Sequence, residues 1–291
     1  VASTACTSGP AARTIPSPGN AIRVASFAFP ESVLLANLYA AALRARGYPV
    51  ELMTDVGSRE IVEPALTHGL IDLVPEYAGS ALAFVSLGRS RASRDTGATF
   101  AAVAAAFASR GIRALQPAPA QDANAIVVTA STAGRYHLSN VSDLLPVAPH
   151  LVFGGPPECP QRPLCLLGLR RSYGLRFHGF VGLDTGGPLT VQALQGEDID
   201  VGLLFSTDPL LASGRLVALA DDRDLQPAEN VMPVVREAAL ARFGEGVAET
   251  VDAVSARLTT DGLRALEAGM SGRGRSAAQV AMAWLHDEGL D

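Results

Sequence analysis

The stretch that most constrains this chain is residues 57–82, GSREIVEPALTHGLIDLVPEYAGSAL. It reads as a turn, a helix, a short strand, and an aromatic residue delivered at the strand's carboxyl end. Ser58 precedes Glu60 and Glu63, whose charge suits the first turn of a helix, and Ile61, Val62, Ala65 and Leu66 fall at helical spacing. Pro64 removes one backbone hydrogen bond, so the helix is expected to start late or to bend there. Gly69 suits a left-handed stop, residues 71–74 form the strand, and Pro75 is expected to end it as a central strand. In an open α/β sheet, ligands are met beyond the carboxyl ends of strands, where Tyr77 and Ser80 follow. Tyr77 equally reads as a half-buried packing residue.

This unit sits inside a longer alternation. A strand at 22–27 leads to a helix opened by Pro30 and stopped by Gly47. A strand at 50–54 follows, and after the 57–82 unit come a helix at 93–110 and a strand at 111–115. Such an order implies a sheet with parallel neighbours. Residues 117–124 are polar and proline-punctuated, marking a first crossing between domains. The pattern then restarts, with strands at 125–129, 150–153, 177–181 and 199–205. A length of 291 residues suits two domains. The expected division is a Pro-, Gly- and Ser-rich tether at 1–20, a first domain at 21–120 and 226–291, and a second at 121–225. A hinge is expected near 118–124 and 204–226, and two α/β halves of this kind imply a cleft between them.

Composition excludes several classes of function. The net charge is −6 with no basic cluster, which argues against nucleic acid as a partner. All 23 basic residues are arginine, so Walker-type phosphate binding and Schiff-base cofactor chemistry lack their lysine. Apolar runs such as 101–108 fall short of the roughly 18 residues of a membrane span. There is no G-x-S-x-G elbow, His68, His137, His150, His178 and His286 are scattered, and paired carboxylates such as Asp221-Asp222 lie beside turns. No catalytic residue, metal site or cofactor is therefore expected. Three glycine-bearing turns, Gly57-Ser58, Gly154-Gly155 and Thr185-Gly186-Gly187, read as helix starts whose free N–H groups can hold a carboxylate or other anion. Cys159 and Cys165 are close enough in sequence for a disulfide, or are two buried free thiols. Small residues run up to Cys6 in the manner of a lipidated bacterial cysteine.

Six blocks in order carry a resemblance: Ser26-Phe27-Ala28-Phe29; Gly57-Ser58-Arg59-Glu60 with Pro64-Ala65-Leu66; 71–80 with its Pro75-Glu76-Tyr77-Ala78-Gly79-Ser80; Pro157-Glu158 with Arg162-Pro163; 184–190; and Ser206-Thr207-Asp208. Together they resemble the solute-binding proteins of ABC importers for glycine betaine, choline and related osmoprotectants, over residues 22–236. The resemblance implies a class II periplasmic-binding-protein fold, two α/β domains with an interdomain cleft and two crossovers. It implies a monomer that captures a quaternary ammonium compound and hands it to a membrane permease. It also implies an extracytoplasmic location with a lipid anchor on Cys6. Tyr77 falls on the family's cage tyrosine, Ser80 on its hydroxyl and Arg162 on its arginine, with Ser26, Thr185 and Phe205 as further ligand contacts.

The chain also departs from the family. Phe27 stands where a lysine is common, Asn124 where a second cage tyrosine is common, and Gln121 and Asp122 replace two asparagines. These changes are expected to weaken glycine betaine and to favour choline-like cations, with Asp122 as a counter-charge. A neutral aromatic or polyhydroxylated ligand is the alternative, and an enzyme on the same fold a lesser one.

Overall fold

The computed structural model describes residues 19–89 and 92–291, apart from the side chains of 272 and 273. Cys6 and most of the expected tether lie outside the described residues. The chain builds two five-stranded sheets, each the centre of one lobe.

The first lobe begins β1 (Ile22–Ala25), α1 (Pro30–Ala45), β2 (Val50–Met53), α2 (Arg59–Thr67), β3 (Leu73–Tyr77), α3 (Ala78–Val85), α4 (Thr96–Ala108) and β4 (Ile112–Ala114). The second follows with β5 (Asn124–Thr129), α5 (Ala130–Tyr136), β6 (Val152–Gly155), the single turn α6 (Leu166–Gly168), β7 (Gly179–Gly182), α7 (Pro188–Gln195), β8 (Val201–Phe205) and β9 (Leu216–Ala218). The chain then returns as β10 (Val231–Arg236) and finishes with α8 (Glu237–Phe243), α9 (Gly246–Ser255), α10 (Thr260–Arg273) and α11 (Ala277–Asp287).

Strand order is β2-β1-β3-β10-β4 in one sheet and β7-β6-β8-β5-β9 in the other. In each, four strands run in one direction and a fifth is antiparallel to its two neighbours: β10 to β3 and β4, β5 to β8 and β9. Apolar side chains fill both faces of each sheet. In the first lobe, α1, α9 and α11 cover one face and α2, α3 and α4 the other. Strands buried on both faces are continuously apolar, as β8 (VGLLF) is and as β10 is up to its last residue, Arg236.

Pro75 does not end the strand. β3 runs through it to Tyr77, and Pro75 lies directly opposite Pro233 of β10. The hydrogen bonds from Arg236 N–H to Asp72 and from Ala78 N–H to Asn230 mark the alternate residues as the bonded pairs. The two prolines therefore form a pair that exchanges no bonds, and neither missing N–H is needed in this ladder. Pro64 likewise lies inside α2, which starts directly after Ser58.

The two passages between lobes run side by side. The N–H of Asp122 bonds Glu229 O and that of Val231 bonds Ala120 O, each at 3.0 Å, while Gln121 bridges Asn230. The return passage at 226–230 thus forms a short antiparallel ribbon with the outward one; it follows the expected 204–226 stretch, whose β8 end and β9 belong to the second sheet.

Candidate ligand-binding site

A cavity of about 460 Å³ lies between the lobes at the ends of their strands. The first lobe supplies Phe29 from the β1–α1 turn, Arg59 and Glu60 from the start of α2, Tyr77 from the end of β3, and Ser80 and Phe84 from α3. The second supplies Asn124 from β5, Glu158 and Arg162 from the loop after β6, Thr185 before α7, and Phe205 from the end of β8.

Three rings form one continuous wall. Phe29 meets Tyr77 at 5.9 Å between centroids and Phe205, across the cleft, at 5.0 Å. Tyr77 is fixed by its hydroxyl, which donates to Glu31 Oε1 of α1 at 2.6 Å. Burial, then the Glu31 charge, raise its pKa, so the phenol stays protonated and the ring keeps its orientation.

Two of the three arginines that line the cavity, Arg59 and Arg162, are already paired, and the third, Arg171, is exposed. Arg59 makes two 2.8 Å hydrogen bonds to the fully buried Glu76, and Glu63, pushed up to about 9 by burial and then by Glu76, stands beside them. Arg162 Nη2 reaches across the cleft to Glu60 at 2.7 Å and to Glu158 of its own loop at 3.1 Å. That loop is held by a disulfide between Cys159 and Cys165, whose Cα atoms are 5.3 Å apart. Ser80 donates its hydroxyl to Glu229 at 2.8 Å, tying α3 to the return passage. Asn124 donates its amide to Leu164 O at 3.1 Å and to Gln226 at 3.3 Å.

Several sequence expectations need correction. Phe27 is not on the cavity: it is 2% exposed in the core, with the Arg59 guanidinium 5.0 Å from its ring, and Phe29 takes the cleft position instead. Ser26 is fully buried and accepts a hydrogen bond from Asp55 N–H. Asp122 touches the cavity but offers it no counter-charge. Its Oδ1 accepts from Thr207 N–H and the Ser206 hydroxyl, its Oδ2 is sealed from solvent without a partner, and burial favours its neutral form. The N-terminus of α7 after Gly187 is occupied by the Asp184 carboxylate, which accepts from the N–H groups of Leu189 and Thr190. Gly154 and Gly155 lie inside β6, where a Cβ at Gly154 would meet Leu183 and Ile199, and do not start a helix. Ser58 directs its hydroxyl to Glu60 and makes no side-chain cap.

The family model described as the substrate binding domain of ABC-type glycine betaine transport systems matches residues 20–287. The chain belongs to this family. It is 26% identical over 280 residues to the glycine betaine-binding protein YehZ of Escherichia coli, covering 92% of this chain and 90% of that protein. It is 28% identical over 281 residues to a glycine-betaine-binding protein of Pseudomonas aeruginosa, covering 92% and 88%. Among solved structures, ligand-free YehZ superposes with a TM-score of 0.64 at 25% identity, over 94% of this chain and all of that one. A glycine betaine/carnitine/choline ABC transporter structure gives a TM-score of 0.70 at 23% identity over 92% and 99%, which speaks to the fold. The fold is the two-domain periplasmic-binding-protein fold that the sequence blocks imply, and the family is one of substrate-binding domains.

Proposed function

We propose that this chain is the extracytoplasmic receptor of an ABC importer, and that it holds the head of a quaternary ammonium ligand against Phe29, Tyr77 and Phe205. The observation that carries this is the ring wall itself, assembled from both lobes around one cavity. An aromatic face attracts a poorly hydrated cation by ~0.5 to 2 kcal/mol per ring once water is excluded. The names of the relatives, which bind glycine betaine or carnitine, agree with that chemistry.

Within that class the wall favours a cation over a zwitterion. Arg59 and Arg162 are both paired to glutamates, so a ligand carboxylate that turns to either has to displace Glu76, Glu60 or Glu158, and the guanidinium open to it is that of Arg171, exposed on the cavity lining. Choline-like ligands meet no such competition. The remaining assignments belong to the same reading: closure about the paired passages at 121–124 and 226–230, delivery of the ligand to a permease by a monomer, and a lipid on Cys6. The site residues are Phe29, Tyr77 and Phe205 for the head, with Ser80, Asn124, Arg162 and Thr185 around it.

Calorimetry with choline, glycine betaine and carnitine tests the reading. Saturable binding of choline, tighter than that of glycine betaine, is expected. Tighter glycine betaine would overturn the preference and leave the receptor role standing; no binding of any of the three would overturn the ligand class.

A further inference from the structure

Three carboxyl groups lie buried where the lobes meet, outside the ring wall. Glu31 of α1 is 1% exposed, Asp122 of the outward passage 3%, and Glu267 of α10 7%. Hydroxyls from both lobes converge on Glu31: Tyr77 donates to Oε1 at 2.6 Å, and Thr207, from beyond β8, to Oε2 at 2.7 Å. The N–H of Thr207 in turn donates to Asp122 Oδ1 at 3.1 Å, whose other oxygen is sealed and unpartnered. Glu267 sets its carboxyl against that of Glu31.

No cation among the described residues is paired with this cluster. Among the described residues no ion pair reaches any of the three carboxyls, and no group of acidic, histidine or cysteine side chains is arranged to hold a metal ion. Arg264, on the same helix as Glu267, is directed to Asp261 and to the Ser206 carbonyl. Asp208, the other charged group facing Glu267, is itself acidic and adds to the repulsion. Carboxylates so close and so dry cannot all be ionised, because each loses its hydration and meets a like charge. The remaining neutraliser is the proton.

The Thr207–Glu31 bond joins the second lobe to the first. An opening of the cleft that parted this bond would admit water, which would solvate the carboxylates and let them ionise at their ordinary acidity. We propose that the Glu31–Asp122–Glu267 cluster couples closure of the lobes to uptake of a proton from solvent, so that the cleft holds its ligand more tightly at lower pH. This rests on the reading of the cleft as a ligand site. The direction of the shifts agrees: burial first, then a neighbouring carboxylate, raises Glu31 and Asp122, and pushes Glu267 up to about 8. The proton is therefore retained in the closed form and released in the open one between the ordinary carboxylate range and about pH 8.

Calorimetry with choline in two buffers of different ionisation enthalpy measures the coupling directly. Uptake of a proton near neutral pH is expected, with affinity falling up to about tenfold per pH unit through that window. Glu267→Gln, which keeps the shape and removes the titration, should reduce the slope. A pH-independent affinity with buffer-independent heat overturns the proposal. X-ray scattering of the ligand-free protein supplies a second arm, which stands even if no quaternary ammonium compound binds. A radius of gyration that rises from about pH 6 to about pH 9 in the wild type, and rises less in Glu267→Gln, supports the coupling; equal radii at both pH values overturn it.

Discussion

Replacing Phe29 by leucine separates two contributions of one ring. Phe29 stands between Tyr77 and Phe205 and is half-buried, so leucine keeps most of its apolar volume and should cost less than about 1.5 kcal/mol of stability. What is lost first is the face presented to a cation, ~0.5 to 2 kcal/mol, or roughly 2- to 30-fold in affinity. The second loss is the 5.0 Å contact with Phe205, which spans the lobes. An aromatic pair contributes about 0.5 to 1.5 kcal/mol beyond its area, and here that energy favours closure. The two parts differ in which ligand feels them. Calorimetry with choline, and with its uncharged analogue carrying a quaternary carbon in place of nitrogen, resolves them: the closure part weakens both ligands equally, the cation part only choline. An equal loss for both would refute cation recognition by this ring, and no loss for either would mean that the ring does not meet the ligand.

Tyr77→Phe should lower stability by ~1 to 3 kcal/mol, because Glu31 Oε1 loses its buried donor, while choline affinity changes little since the ring remains; an unchanged urea midpoint would show that the bond adds nothing. Arg59→Met leaves Glu76 buried and unpaired at a cost of ~3 to 5 kcal/mol, and Arg59→Met with Glu76→Gln should recover much of it; urea unfolding of the pair, with no recovery, would sink the coupling. Serine at both Cys159 and Cys165 should cost roughly 2 kcal/mol for so short a ring and loosen Arg162, seen as a lower urea midpoint under non-reducing conditions; equal midpoints with and without the bridge would argue otherwise.

Much of the architecture was legible because hydrophobic periodicity and helix stops are local signals. Pro30 at the first turn of α1 and Gly47 past its end are examples. The errors have a common cause, which is that they depend on partners distant in sequence. Whether Pro75 breaks β3 depends on which way its missing N–H points, and the register against β10 decides that. Phe27 and Phe29 look alike in sequence. β1 ends at Ala25, so the chain has already left the sheet between them, and one ring enters the core while the other reaches the cleft. Asp122 reads as a counter-charge for the ligand until Thr207 and Ser206 close over it, and nothing near Glu31 or Glu267 in sequence signals that they meet.

The nesting of the two sheets also orders how the protein can take shape as it is made. Every strand of the second sheet, β5 to β9, is contiguous in the chain, so that lobe holds all its pairing partners once residue 218 has emerged. The first sheet does not: β3 and β4 are both synthesised early, yet the strand that joins them is β10, and α9 and α11, which cover α1, come later still. Until then β3, wholly buried in the finished protein, is an edge strand with β1 on one side and its other side open, a form prone to wrong pairing. A chain that leaves its ribosome or crosses a membrane from its N-terminus thus completes its second lobe before its first. Truncation between Ala218 and Val231 leaves a finished second sheet attached to an open one.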